Sequence, residues 1–171
     1  MISLRDFLKI LYIIVVGLLV SMFIYPILHE SGHLLATLAF GGSVGKVSIF
    51  PAAYTECDVL SISALGKAVI GLSGMIFPML FSWVRFKNFY VWYPVFVLRG
   101  IIFLSFAISA VSIGLFYNGT IVENEDVVQV LRICSEHTVM TIASVIVMAV
   151  LSAVLILTDH PIKRFFDYLL N

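Results

Sequence analysis

The segment Tyr25-Pro26-Ile27-Leu28-His29-Glu30-Ser31-Gly32-His33-Leu34-Leu35-Ala36 sets the reading of the whole chain. It lies inside an apolar run from Leu8 to Phe40, so three ionisable side chains within five residues stand where hydrocarbon is the expected surrounding. Ionisable groups are costly there and call for a common explanation. Two histidines four apart on a helix lie on one face, nearly one above the other. His29 and His33 can therefore reach one metal ion without distorting the backbone. Glu30 is turned by about 100° from His29 and can reach a water on that metal. Zinc brings the pKa of such a water to near 7, and a carboxylate can take its proton as the water attacks a carbonyl.

Composition agrees with a membrane setting. Of 171 residues, 61% are hydrophobic and only 12% are charged, about half the charge of an ordinary soluble domain. Formal net charge is zero, which gives no reason to expect a nucleic-acid partner. Apolar runs of roughly bilayer-spanning length recur. The expected fold is an all-α polytopic membrane protein, one domain over residues 1–171, with about four transmembrane helices and a short β-ribbon after the first.

The first span is placed at residues 8–40, closed by Gly41-Gly42. Its apolar core outruns that of a removable signal, so it is expected to be retained. Pro26 lacks a backbone donor and crowds the carbonyl of Met22, which predicts a kink three residues before His29. Residues 41–63 are unlike a span. Lys46-Val47-Ser48-Ile49-Phe50 alternates polar and apolar as a short strand does, and Pro51 ends it.

A second span at 64–84 carries Gly66, Gly71 and Gly74, small residues that let helix backbones approach closely in lipid. Third and fourth spans are placed at 91–117 and 139–157. Four spans put both termini and the turn at Arg85 and Lys87 on one side. That side holds Arg5, Lys9, Arg85, Lys87, Lys163 and Arg164, which makes it cytoplasmic in a cell membrane. The basic-aromatic tail Lys163-Arg164-Phe165-Phe166 is expected in the headgroup region. Arg99, early in the third span, is expected to snorkel towards the same interface.

Two histidines leave a catalytic zinc one protein ligand short. Asp126, Glu123, Glu125, His137, Glu56 and Asp58 all fall on the side of the outer half of the first span. Asp126 leads narrowly, because it precedes the apolar-periodic Val127-Val128-Gln129-Val130-Leu131 and could point from a helix start into the bundle. The same position also suits an ordinary helix N-cap.

The run His29-Glu30-Ser31-Gly32-His33-Leu34-Leu35-Ala36, followed by Gly41-Gly42, resembles the site-2 protease class of intramembrane zinc metalloproteases. The likeness is nearest to its small members without a soluble regulatory domain. It extends to the strand-forming stretch, to Gly71-Leu72-Ser73-Gly74 with Pro78 four residues on, and to Asn124-Glu125-Asp126-Val127. The last segment lacks the proline before and the glycine after the aspartate that better-known members carry. The resemblance implies one zinc per chain on His29, His33 and Asp126, with Glu30 as general base. It also implies hydrolysis of peptide bonds in or beside membrane-spanning substrates. A helical substrate must first unwind locally, because its backbone groups are already paired. Lys46–Phe50 could hold the unwound segment by strand addition, or be a plain surface hairpin.

Smaller signals are few. Cys57 and Cys134 both fall in the outer loops, where an oxidising exterior would permit a disulfide pinning the ribbon to the loop that carries Asp126; two separate thiols are the other reading, and neither has a ligand-spaced neighbour. Asn118-Gly119-Thr120 matches a glycosylation acceptor that matters only in a eukaryotic secretory context. His160, past the last span, is expected to be solvated.

Overall fold

The computed structural model describes residues 3–122, 125–135 and 138–170. Helix α1, Leu4–Leu19, starts on a reciprocal cap, in which Ser3 Oγ accepts the Asp6 N–H while the Asp6 carboxylate accepts from Ser3. Two otherwise orphaned donors are satisfied this way. The helix runs through a π-helical turn, Val20–Ile24, into α2, Tyr25–Ala39. The 36 residues from Leu4 to Ala39 form one apolar element.

The π turn ends two positions before Pro26, the residue at which a kink is expected. The Tyr25 N–H reaches back to the Val20 carbonyl, which widens the helix just before a residue that has no N–H and crowds the preceding turn. The chain leaves α2 through Gly41, whose φ of +80° suits glycine, and the Gly42 N–H closes on the Thr37 carbonyl at 2.9 Å.

Strands β1, Ser43–Ser48, and β2, Tyr54–Asp58, pair antiparallel with a register shift between Val44 and Val47. The ribbon therefore lies where the alternating stretch predicts it, though β1 begins at Ser43 and ends at Ser48, before Pro51. On β2 the alternation is clean: Thr55 and Cys57 are half-buried, while Tyr54, Glu56 and Asp58 are exposed.

Helix α3 is Ala64–Ser82, capped by Ser63, and α4 is Phe89–Tyr117, capped by Asn88. A short amphipathic helix, α5 (Asp126–Ile133), precedes α6, Thr138–Thr158, and α7, Pro161–Leu170. Four elements are long and apolar enough to cross a bilayer: α1–α2, α3, α4 and α6 with α7. The chain is a mostly helical, multi-pass membrane protein with a two-stranded ribbon after its first long helix.

The core joins Val20 of the π turn to Met75 and Met79 of α3, Leu98, Ile102 and Phe106 of α4, and Val145 of α6. Val127 and Leu131 of α5 complete it and are 0% and 4% exposed. A non-spanning helix is thus pulled into the bundle by its apolar face. By contrast α1 leaves Phe7, Ile14 and Leu18 exposed, as a lipid-facing helix does.

Three hydrogen bonds gather one end of the bundle. Lys9 Nζ donates to the Leu169 carbonyl at 3.2 Å, Arg164 to Phe86 at 2.6 Å, and Arg85 to Thr158 Oγ1 at 3.1 Å. The start of α1, the α3–α4 turn and α7 therefore share an end, and the basic residues counted above collect there. His160 is exposed and both cysteines are free thiols.

Arg99 does not snorkel. It is 1% exposed and pairs with Asp159, also buried, at the end of α6. Its Nε donates to the Ser82 carbonyl at 2.6 Å and one terminal nitrogen to Val84 at 2.9 Å, while Trp92 Nε1 donates to Asp159 at 2.9 Å. The guanidinium thus closes the C-terminal end of α3, where carbonyls lack helical partners, and its counter-ion arrives from 60 positions away. Replacing Arg99 by Met should leave Asp159 buried and uncompensated, lowering stability by about 3–5 kcal/mol. Adding Asp159→Leu should restore part of that loss. Thermal unfolding of the two variants in detergent checks both.

Candidate metal centre

Helix α2 presents His29 and His33 on consecutive turns towards α3, and the two helices pack closely because of where their glycines stand. A Cβ on Gly32 would lie 2.9 Å from Phe77 Cβ and 2.8 Å from the Ser73 carbonyl carbon. Gly71 faces Val130 of α5 and would collide with it if it carried a Cβ. Gly74 faces the imidazoles themselves: a Cβ there would stand 2.8 Å from His29 Cε1 and 2.8 Å from His33 Cε1, and closer still to His33 Nε2. The small residues of α3 thus seat the motif helix, α5 and both rings.

Asp126 is the first residue of α5 but not its cap. Glu125 holds that role, with Oε2 accepting the Val128 N–H at 2.8 Å and Oε1 accepting from Ser109 Oγ of α4 at 2.5 Å. The neighbouring glutamate fixes the helix start, and Asp126 is left to face the histidines. Its Oδ2 lies 3.2 Å from His29 Nε2 and 3.3 Å from His33 Nε2, and the two Nε2 atoms are 3.2 Å apart.

That triangle fits a metal. Bonds of about 2.0–2.1 Å at tetrahedral angles separate donor atoms by roughly 3.3–3.4 Å. Two imidazole nitrogens and one carboxylate oxygen at this spacing would supply three donors to a tetrahedral ion and leave the fourth position to a water or substrate. Among the described residues, His29, His33 and Asp126 are the group of side chains that could hold a metal ion. Glu56 and Asp58 stand on the outward face of β2, and Glu125 is committed to its cap. Glu123 and His137, also weighed as ligands, lie outside the described residues.

The surroundings prepare these atoms. His33 Nδ1 is 2.8 Å from the Ile70 carbonyl, which can only accept, so Nδ1 carries the hydrogen and the Nε2 lone pair of the neutral ring points into the triangle. Tyr25 Oη lies 3.5 Å from His29 Nδ1 and 2.6 Å from Ser105 Oγ, orienting the second ring from α4. Burial acts to raise the pKa of Asp126, but hydrogen bonding and charge from His29 and His33 outweigh it. The carboxyl is held well below the usual carboxylate range and is an anion.

Comparison with protein-family models, with curated proteins and with solved structures found no match. The reading of the site therefore rests on its own geometry.

Glu30 is 5% exposed, and its Oε2 accepts a 2.7 Å hydrogen bond from Thr55 Oγ1 of β2. Glu30, both histidines and Asp126 line one cavity of about 430 Å³, together with Thr55 and Cys57 of the ribbon, Lys67 and Gly71 of α3, and Gln129 of α5. A larger cavity of about 820 Å³ lies at the basic end between α1 and α7. It contains no group of metal-binding side chains among the described residues. Chemistry rather than size marks the site.

The sequence points to His29, Glu30, His33 and Asp126, and the fold brings the two histidine nitrogens and the aspartate oxygen together and puts Glu30 in their cavity. Thr55, Tyr25, Ser105 and the Ile70 carbonyl join the site without belonging to any motif in the sequence. Thr55 had one usable signal, its inward phase on an alternating strand. A carbonyl contributed by α3 has none.

Gly74→Ala should displace both rings and lower metal content sharply. Gly100→Ala, where a Cβ meets nothing within 4 Å, should leave it intact and favour the helix by up to about 1 kcal/mol. Metal analysis of the two purified variants separates site crowding from a general glycine effect.

Proposed function

We propose that this chain is a membrane-embedded zinc metalloprotease that hydrolyses peptide bonds in or near transmembrane segments of membrane proteins. The observation that carries the proposal is the triangle of two histidine nitrogens and one aspartate oxygen at 3.2–3.3 Å, sharing a cavity with Glu30. Two nitrogens and one oxygen with an open fourth position suit catalytic zinc. Bound there, zinc supplies Lewis acidity, polarising a carbonyl and acidifying a water.

The chain's own residues do the rest. Glu30 Oε2 is held by Thr55, which leaves Oε1 to take the proton of the attacking water and pass it to the leaving amine nitrogen. His33 and His29 keep their ring orientation through Ile70, Tyr25 and Ser105 while charge develops beside them. The ribbon lies against α2 at Glu30, so an extended substrate segment pairing with it would run past the carboxylate. Positive charge at the end shared by α1, the α3–α4 turn and α7 supports a cytoplasmic placement of both termini in a cell membrane.

A non-enzymatic, membrane-protein-binding relative would have no use for a buried glutamate oriented by a threonine. A metal transporter would want further ligands along the spans, and among the described residues there is one ligand group.

The direct test is purified protein in liposomes with membrane-spanning peptides labelled at both ends. Cleavage that stops with a zinc chelator and returns with added zinc supports the proposal. No cleavage of any peptide by zinc-loaded protein overturns it.

A further inference from the structure

We propose that Lys67 is a specificity-determining residue of this site, its ammonium pairing with a carboxylate on the peptide substrate; the inference rests on the protease reading above. Lys67 is half-buried and lines the cavity that holds the ligand triangle and Glu30. On α3 it precedes Ile70, Gly71 and Gly74 by three, four and seven positions, so all four share one helix face. Ile70 binds His33, Gly71 seats α5 and Gly74 seats the imidazoles. Lys67 is thus the charged member of the face that builds the site.

Among the described residues no carboxylate lies within ion-pair distance of Lys67 to neutralise it. The carboxylates near by are committed elsewhere: Glu30 to Thr55, Asp126 to the histidines, Asp58 to the Leu60 N–H. Glu56 stands on the exposed face of β2.

The placement also works against α3 itself. Lys67 lies near the helix start, where the helix dipole disfavours a cation, and no acidic residue stands in that first turn to offset it. An ammonium with no carboxylate partner among the described residues, at the positive end of a helix and on the wall of the cavity, makes a site that attracts an anion. Gln129, across the cavity on α5, adds an amide able to donate to the same group.

In a peptide the anion is a carboxylate. It belongs either to an Asp or Glu side chain beside the scissile bond or to a free C-terminus. A lysine that merely snorkels to the headgroups would leave affinity indifferent to substrate charge.

The test uses short apolar peptides capped with a zinc-binding hydroxamate, each bound to zinc-loaded, detergent-solubilised full-length protein. One series carries glutamate or glutamine as the varied residue with an amidated end. A second carries a free or an amidated C-terminus.

A carboxylate in one series should bind roughly tenfold or more tighter than its neutral counterpart, as a charge-assisted hydrogen bond gives. The series that responds identifies the source. That ratio should fall to near one in Lys67→Gln, persist in Lys67→Arg and invert in Lys67→Glu, with zinc content showing that each variant retains its site. Hydroxamate binding with no carboxylate preference, or a preference unchanged in Lys67→Gln, overturns the role of Lys67 and leaves the protease reading standing. If no hydroxamate binds zinc-loaded wild type, the protease reading fails and the inference falls with it.

Discussion

Glu30→Gln should lower peptide cleavage by roughly 10²–10⁴-fold, the range that a positioned general base contributes, while zinc content stays at the wild-type level. The substituted amide would keep the size of the side chain and an acceptor for Thr55 Oγ1, which lies 2.7 Å from Oε2 of the native carboxylate. It would lose only the ability to take a proton. Because Glu30 is not part of the triangle formed by His29, His33 and Asp126, the two readouts should separate. Cleavage rate and metal content measured on one preparation decide the matter. Retained cleavage would remove Glu30 from the base role, and joint loss of zinc and cleavage would mean that it holds the site together instead.

Asp126→Ala should empty the site, whereas Glu125→Ala should not. The two carboxylates are adjacent in sequence but differ in task. Asp126 Oδ2 completes the triangle, while Glu125 caps α5 and ties it to Ser109. Losing a direct ligand should weaken zinc binding by more than the roughly 10–100-fold expected for an outer hydrogen-bond partner. Losing the cap should cost about 0.5–2 kcal/mol of stability with most zinc retained. Zinc titration and thermal unfolding of the two variants form the pair of measurements. The reverse pattern would exchange their roles.

Local chemistry made some of this legible in the sequence. His29 and His33 declared themselves by spacing, because 3.6 residues per turn fixes which side chains share a face whatever the rest of the fold does. The four long apolar elements were equally plain, since bilayer thickness sets their length. The alternation in 46–50 announces a ribbon, but its second strand, Tyr54–Asp58, turns only Thr55 and Cys57 inward, neither of them strongly apolar, so its bounds are faint in the sequence.

What the sequence withheld is long-range. In the sequence Asp126 is one of several carboxylates; in the fold Glu125 takes the α5 cap and Asp126 faces the histidines. Arg99 could not be paired with Asp159 from pattern alone, so its single charge in a span suggested an interface rather than a buried closure of α3. The glycines of α3 signalled close approach without saying to what. Gly74 meets two imidazoles and Gly71 meets Val130, contacts that exist only once α2, α3 and α5 are assembled.

The most direct test of the metal centre is the zinc content of freshly purified protein, wild type beside His33→Ala. About one zinc per chain in wild type and almost none in the variant is the predicted result. Wild-type protein that carries no zinc, and takes up none when zinc is added back, would contradict the account at its centre.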